Sequence, residues 1–208
     1  MTSFPLSRPV RLAVFASGKG SNLSAILQAF PASHPLASVA LVISNNEGVG
    51  ALDKAKALGI NAYHVASGEQ ERFENEVEVL LARHTIDVVL LAGFMRLLSA
   101  RFVEHWRGRL LNIHPSLLPE FPGLDAPEQA LAAGVRVSGC TVHFVDEGVD
   151  SGPIILQRRV PVLPKDSVET LKARIRREEH KAYPEAIKQL LLGKVSYPAG
   201  ASAGESGE

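Results

Sequence analysis

Short apolar segments alternate with stretches of helical period along the first half of this chain, and that alternation leaves few folds open. Apolar or β-branched runs at 11–16, 39–44, 61–65 and 86–91 have the length of strands, and helical patterns separate them near 22–30, 50–58 and 69–83. Strands and helices in alternation imply a mostly parallel sheet whose two faces are both covered. The expected fold is α/β and Rossmann-like, with helices on both faces of the sheet. The second half changes character. Strand candidates at 109–114, 137–145 and 153–160 have few helical residues between the last two, which predicts an antiparallel C-terminal addition. From 167 to 192 the apolar positions Val168, Leu171, Ile175, Ile187, Leu190 and Leu191 suit one long helix capped by Asp166 or Ser167. Pro184 is expected to bend or divide that helix. After Lys194 the chain is small, polar and aperiodic, so 1–194 reads as one domain and 195–208 as a disordered tail.

Composition narrows the class of partner. With 208 residues, 46% apolar and 21% charged, the chain can bury one substantial core. Twenty-two basic and twenty-two acidic residues cancel, and like charges are not blocked together, so no nucleic-acid footprint is visible. A small-molecule partner is expected. The single cysteine, Cys140, cannot form an internal disulfide, and no Cys/His spacing resembles a zinc site, so no metal is expected. Without a signal sequence or a run of eighteen apolar residues, the expectation is a cytoplasmic protein with no membrane partner, monomeric or homodimeric.

Four segments carry candidate chemistry. In Asn112-Ile113-His114-Pro115 the amide and the imidazole are two residues apart, hence on one side of an extended segment. They could together meet a carbonyl that gains negative charge, with Pro115 and Pro119 stiffening the exit. An Asn-x-His pair also fits a turn residue beside an ordinary histidine. Ser17-Gly18-Lys19-Gly20-Ser21-Asn22 lies where a strand passes to a helix and suits an anion, although Ser21 or Asn22 could simply cap the helix. It is neither a phosphate loop of the Gly-Lys-Ser/Thr type nor a complete dinucleotide fingerprint. Gly93-Phe94-Met95-Arg96-Leu97-Leu98 follows a strongly apolar strand, at the sheet edge where open α/β proteins bind ligands. Asp146-Glu147-Gly148-Val149-Asp150-Ser151-Gly152-Pro153 is an acidic, glycine-rich loop between two strands. Thr141 and His143 share a face of the preceding strand, and for His143 a supporting and a purely structural role stay open.

The string Asn112-Ile113-His114-Pro115-Ser116-Leu117-Leu118-Pro119, with Ala92-Gly93-Phe94-Met95-Arg96 before it and Gly139-Cys140-Thr141-Val142-His143-Phe144-Val145 after it, resembles the folate-dependent formyltransferase family, its glycinamide ribonucleotide branch in particular. The likeness runs from about 11 to 184. It implies transfer of the formyl group of 10-formyltetrahydrofolate to the amine of 5′-phosphoribosylglycinamide, a step of purine biosynthesis leading to IMP, with no metal. Under it, Asn112, His114 and Asp150 would be catalytic, and Asp150 would orient and charge His114. Gly20, Ser21 and Asn22 would take the substrate phosphate, and Glu179 its ribose. Met95, Arg96, Leu97 and Leu98, with Asn112 and Asp146, would form the folate site, backbone groups reading the pterin edge. His143, Thr141 and Pro115 would support the centre. Two departures stand out. After Pro122-Gly123-Leu124 relatives often carry histidines where this chain has Asp125-Ala126-Pro127, and an arginine linked to the folate tail is replaced by Gln70, with Arg72 nearby.

Other readings share these residues. A 10-formyltetrahydrofolate hydrolase or a methionyl-tRNA formyltransferase would use the same Asn-x-His motif and acid, but each would need a further domain for which 208 residues leave no room. A non-catalytic phosphate-binding module would use only the Gly18 to Asn22 loop and leave the other motifs unexplained. Cys140, in an apolar strand without a cationic neighbour, makes a poor nucleophile.

Overall fold

The computed structural model describes residues 4–199. Among the described residues seven strands make one sheet: β1 (Val10–Phe15), β2 (Ala37–Ser44), β3 (Asn61–His64), β4 (Val88–Leu91), β5 (Leu110–His114), β6 (Val137–Phe144) and β7 (Ile154–Pro161). Six helices accompany them: α1 (Ser21–Ala29), α2 (Gly50–Ala57), α3 (Gln70–Arg83), α4 (Ala100–His105), α5 (Ala126–Ala132) and α6 (Val168–Leu191). The strand order is β3-β2-β1-β4-β5-β6-β7. Pairing is parallel from β3 to β5 and antiparallel for β5 with β6 and β6 with β7. The α/β fold with an antiparallel C-terminal part is thus the one the alternation predicts.

Strands β1 and β4 at the middle of the sheet are almost wholly apolar because both faces are covered. On one face Val10, Leu12 and Val14 pack with Leu23 and Ile26 of α1 and Leu171, Ile175 and Ile187 of α6. On the other, Ala13 and Phe15 pack with Phe73, Val77 and Leu81 of α3 and Phe102 of α4. The long C-terminal helix starts where expected: Ser167 and Thr170 form a reciprocal capping box. Pro184 does not divide it. Ala182, Tyr183, Ala186 and Ile187 around the proline are all buried, and the Tyr183 hydroxyl lies 3.0 Å from the carbonyls of both Leu91 and Leu111. This packing outweighs the hydrogen bond that proline cannot donate.

Two helices escaped the sequence reading. α4 and α5 have six and seven residues, too few to show a helical period. α4 is set by its neighbours: Ser99 caps it through Phe102 N, and buried Glu74 accepts from the Ser99 amide at 2.6 Å.

Packing continues past residue 194. Val195 and Tyr197 lie against the core, and the Tyr197 ring stands edge-on to Phe144 with centroids 5.5 Å apart while Arg107 covers it. Of the expected tail, residues 200–208 lie outside the described residues. Tyr197→Ala is expected to cost about 1–2 kcal/mol of stability, read from the denaturant midpoint. An unchanged midpoint would show that this contact contributes nothing.

Candidate active site

In the strand order β1 is followed on one side by β2 and on the other by β4, and ligands of open α/β sheets bind beyond the strand ends at such a switch point. The loops after β1, β4 and β5 bring Ser17, Gly93 and Pro115 to this rim. Antiparallel pairing sets Asn112 opposite His143 and His114 opposite Thr141, so four polar side chains of two adjacent strands share one face. Thr141, however, is fully buried and serves the loop after Pro115. It donates to Ser116 O at 2.7 Å and accepts from Leu118 N at 3.0 Å and Gln157 Nε2 at 2.9 Å.

Asp150 reaches the same face from the loop between β6 and β7. It sits in the left-handed region at φ 54°, and Gly152 two residues on has no space for a side chain, since a Cβ would lie 1.8 Å from Phe144 O. One carboxylate oxygen, Oδ2, is 3.1 Å from His114 Nδ1 and accepts from Gly123 N at 2.8 Å. The other, Oδ1, is 3.2 Å from Asn112 Nδ2 and 3.5 Å from His143 Nε2. His114, Asn112, His143 and Asp150 therefore form one connected cluster.

His143 Nδ1 faces Phe144 O at 2.8 Å, and its Nε2 lies 3.2 Å from the Asn112 amide. The second Asn112 proton goes to Asp150. His114 Nε2 lies 2.8 Å from Phe121 O and donates to it. Burial pushes the His114 imidazole below its ordinary range, against the Phe121 carbonyl and Asp150, which favour the cation. Asp150 acts on the ring in the expected sense, while burial of an imidazole only 4% exposed opposes it. Burial opposes ionisation of Asp150 too, but His143, the Gly123 amide and His114 outweigh it and hold the carboxyl below the usual carboxylate range. Both His114 nitrogens face acceptors, Nε2 the Phe121 carbonyl and Nδ1 the Asp150 carboxylate, and the Asn112 amide likewise donates to groups of the protein itself.

The turn that supplies Phe121 O and Gly123 N was missed as a contributor. It belongs to the loop whose missing histidines suggested lost contacts, and its backbone is contorted, with φ of 53° at Phe121, 79° at Gly123 and 57° at Asp125. Pro122-Gly123 announced a turn. Nothing in the sequence says that its carbonyl and amide would hold His114 and Asp150.

At the other end of the rim Gly20 is the N-cap of α1 in the left-handed region, where a Cβ would come within 2.9 Å of Ala51. Ser21 opens the helix. Asn22 and Glu179, expected on the phosphate and the ribose, meet each other: Asn22 Nδ2 donates to Glu179 Oε2 at 3.0 Å between α1 and α6. Burial pushes the Glu179 carboxyl up, and among the described residues Asn22 Oδ1 is buried without a partner.

The expected folate loop lies between these ends. Met95 and Leu97 are 68% and 72% exposed, whereas Leu98 packs partly against the core. Two backbone groups expected to read a ring edge are already used: Met95 N donates to Ser17 Oγ at 2.8 Å, and Leu97 O accepts from Gln70 Nε2 at 2.9 Å. Gln70 is thus a brace. Arg96 turns to Gly68 O and Gln70 Oε1 and covers the Phe73 ring at 4.5 Å. Asp146 folds its own loop, accepting from Gly148 N at 3.1 Å and Ser151 Oγ at 2.8 Å. Cys140 is fully buried, and its thiol is pushed up to about 12 by that burial. Among the described residues no group of three or more His, Cys, Asp or Glu side chains is arranged to hold a metal, and no helix is long and apolar enough to cross a membrane.

Comparison with known proteins agrees with this geometry. The formyl transferase family profile matches residues 10–187. The phosphoribosylglycinamide formyltransferase of Bacillus subtilis (strain 168) is 42% identical over 87% of this chain and 94% of its own length. That of Escherichia coli (strain K12) is 41% identical over 89% of each. The crystal structure of glycinamide ribonucleotide transformylase 1 from Symbiobacterium toebii superposes with a TM-score of 0.83 at 44% identity, covering 91% of this chain and 90% of that one. The trifunctional purine biosynthetic protein adenosine-3 of Drosophila melanogaster is 50% identical over 89% of this chain, which spans only 14% of that protein's length. The chain belongs to the formyl transferase family.

Proposed function

We propose that the protein transfers the formyl group of 10-formyltetrahydrofolate to the amine of 5′-phosphoribosylglycinamide in purine biosynthesis. The observation that carries this reading is the convergence of Asn112, His114 and Asp150 at one point of the rim, with an anion-suited helix start on one side and the Met95 to Leu98 loop on the other. The amine nitrogen attacks the formyl carbon, the bond from that carbon to folate N10 breaks, and an amine proton ends on N10. His114 Nε2 and Asn112 Nδ2 release their internal acceptors and donate to the formyl oxygen as it gains charge. Asp150, already ionised, takes the amine proton through water and steadies His114 while that charge lasts. Glu179 and Asn22 exchange their mutual bond for the ribose and phosphate. The cleft holds the two substrates close enough for direct transfer, without a covalent enzyme intermediate.

Tetrahydrofolate formation is expected to require the phosphoribosylglycinamide amine. Formate release that ignores the amine would instead support a hydrolase, a reading to which a formyltetrahydrofolate deformylase structure from Pseudomonas syringae gives some standing at 30% identity and a TM-score of 0.83. Cys140→Ala is expected to keep turnover within about twofold, because a buried thiol held protonated takes no part. A loss of orders of magnitude would bring a thiolate step back into consideration.

A further inference from the structure

The scheme above leaves Lys54, a cation beside the phosphate loop, unused. Lys54 stands on an exposed position of α2, yet its Nζ reaches back to the loop after β1 and donates to the carbonyls of Lys19 at 2.8 Å and Gly20 at 3.1 Å. The neighbouring carbonyls are engaged as well. Ser17 O accepts from Asn46 Nδ2 at 2.9 Å, Gly18 O from Ala51 N at 3.1 Å, and Gly20 O also from Ser24 N at 3.1 Å and Ser24 Oγ at 3.0 Å. Every carbonyl from Ser17 to Gly20 is thus occupied. Among the described residues no protein acceptor meets the first-turn amides of Ser21, Asn22 and Leu23, and the N-cap Gly20 has no side chain to supply one. The backbone of the loop offers an anion only donors, and the helix dipole adds to them. A cation fastened to two of its carbonyls removes the negative ends nearest that position.

We propose that Lys54 is a positioning residue for the acceptor's phosphate, holding the Lys19 and Gly20 carbonyls so that the start of α1 presents donors and net positive charge to a phosphate monoester. This inference rests on the functional reading above for the identity of the acceptor but not for the anion. Lys54 also acts, with Arg176, on nearby His180, whose imidazole burial and these cations hold below its ordinary range. The phosphate end therefore carries a positive field from side chains outside the loop.

The test measures binding of ribose 5-phosphate, phosphoribosylglycinamide and 10-formyltetrahydrofolate to the wild type, Lys54→Met and Lys54→Arg. Lys54→Met is expected to weaken both phosphate esters about tenfold while leaving folate binding unchanged, and Lys54→Arg to restore most of the loss. The difference should shrink as salt rises. Phosphate esters bound equally by Lys54→Met and the wild type would overturn the inference. So would folate binding weakened in parallel, or a wild type that binds no ribose 5-phosphate. If ribose 5-phosphate binding depends on Lys54 but phosphoribosylglycinamide accepts no formyl group, the inference stands and the acceptor assignment falls.

Discussion

Asp150→Asn is expected to lower kcat for formyl transfer by about 10³- to 10⁴-fold while the nucleotide still binds within a few fold. Asparagine preserves the size of the side chain and can still accept from Gly123 N, so the left-handed turn at Asp150 should survive. What it loses is the charge. Two effects follow: no carboxylate takes the amine proton, and the imidazole 3.1 Å away loses a group that favours its cation. His114 is already depressed by burial, so its titration midpoint, followed by NMR, should fall further in Asp150→Asn. A midpoint that rises, or a rate near wild type, would contradict the assigned proton arrangement.

His114→Ala is expected to cost about 10²- to 10⁴-fold in kcat, because it removes a donor aimed at the developing oxyanion and the group that Asp150 steadies. Since the two residues act as a unit, the double variant His114→Ala/Asp150→Asn should be little slower than the worse single one. Multiplying losses would show that they act separately. The substitution also has a pH signature in stability. The folded pKa of His114 lies below its unfolded value, so the unfolded chain binds the extra proton first as the solution is acidified. Stability from this group is therefore present above about pH 6.5 and is lost as pH falls toward the folded value. His114→Ala should flatten that part of the stability profile.

Much of this could be read from the chain before any coordinates. Alternating apolar runs fixed the sheet and its helices, and the change of rhythm after 137 announced the antiparallel strands. Asn112 and His114 were legible because a period of two puts them on one face, while Asp150 could be assigned only through the family resemblance. What escaped has physical reasons. α4 and α5 are shorter than the window in which a helical period appears. Pro184 signals a break wherever it stands, and only tertiary burial of Ala182, Tyr183 and Ile187 shows why the helix continues. Phe121 O and Gly123 N act through backbone atoms, which carry no residue identity. For His114 the sequence shows the carboxylate partner but not the desolvation that opposes it. Lys54 left no signal in the sequence, since a bond to two carbonyls 35 and 34 residues away makes no pattern.

The most direct test of the account is a single-turnover experiment with enzyme in excess, formyl-labelled 10-formyltetrahydrofolate and phosphoribosylglycinamide, quenched over time for wild type and His114→Ala. The account predicts that wild-type enzyme moves the label onto the glycinamide nitrogen, with free formate at background, and that His114→Ala does so at least about a hundredfold more slowly. Label released as formate whether or not the amine is present, or transferred by His114→Ala at the wild-type rate, would contradict it.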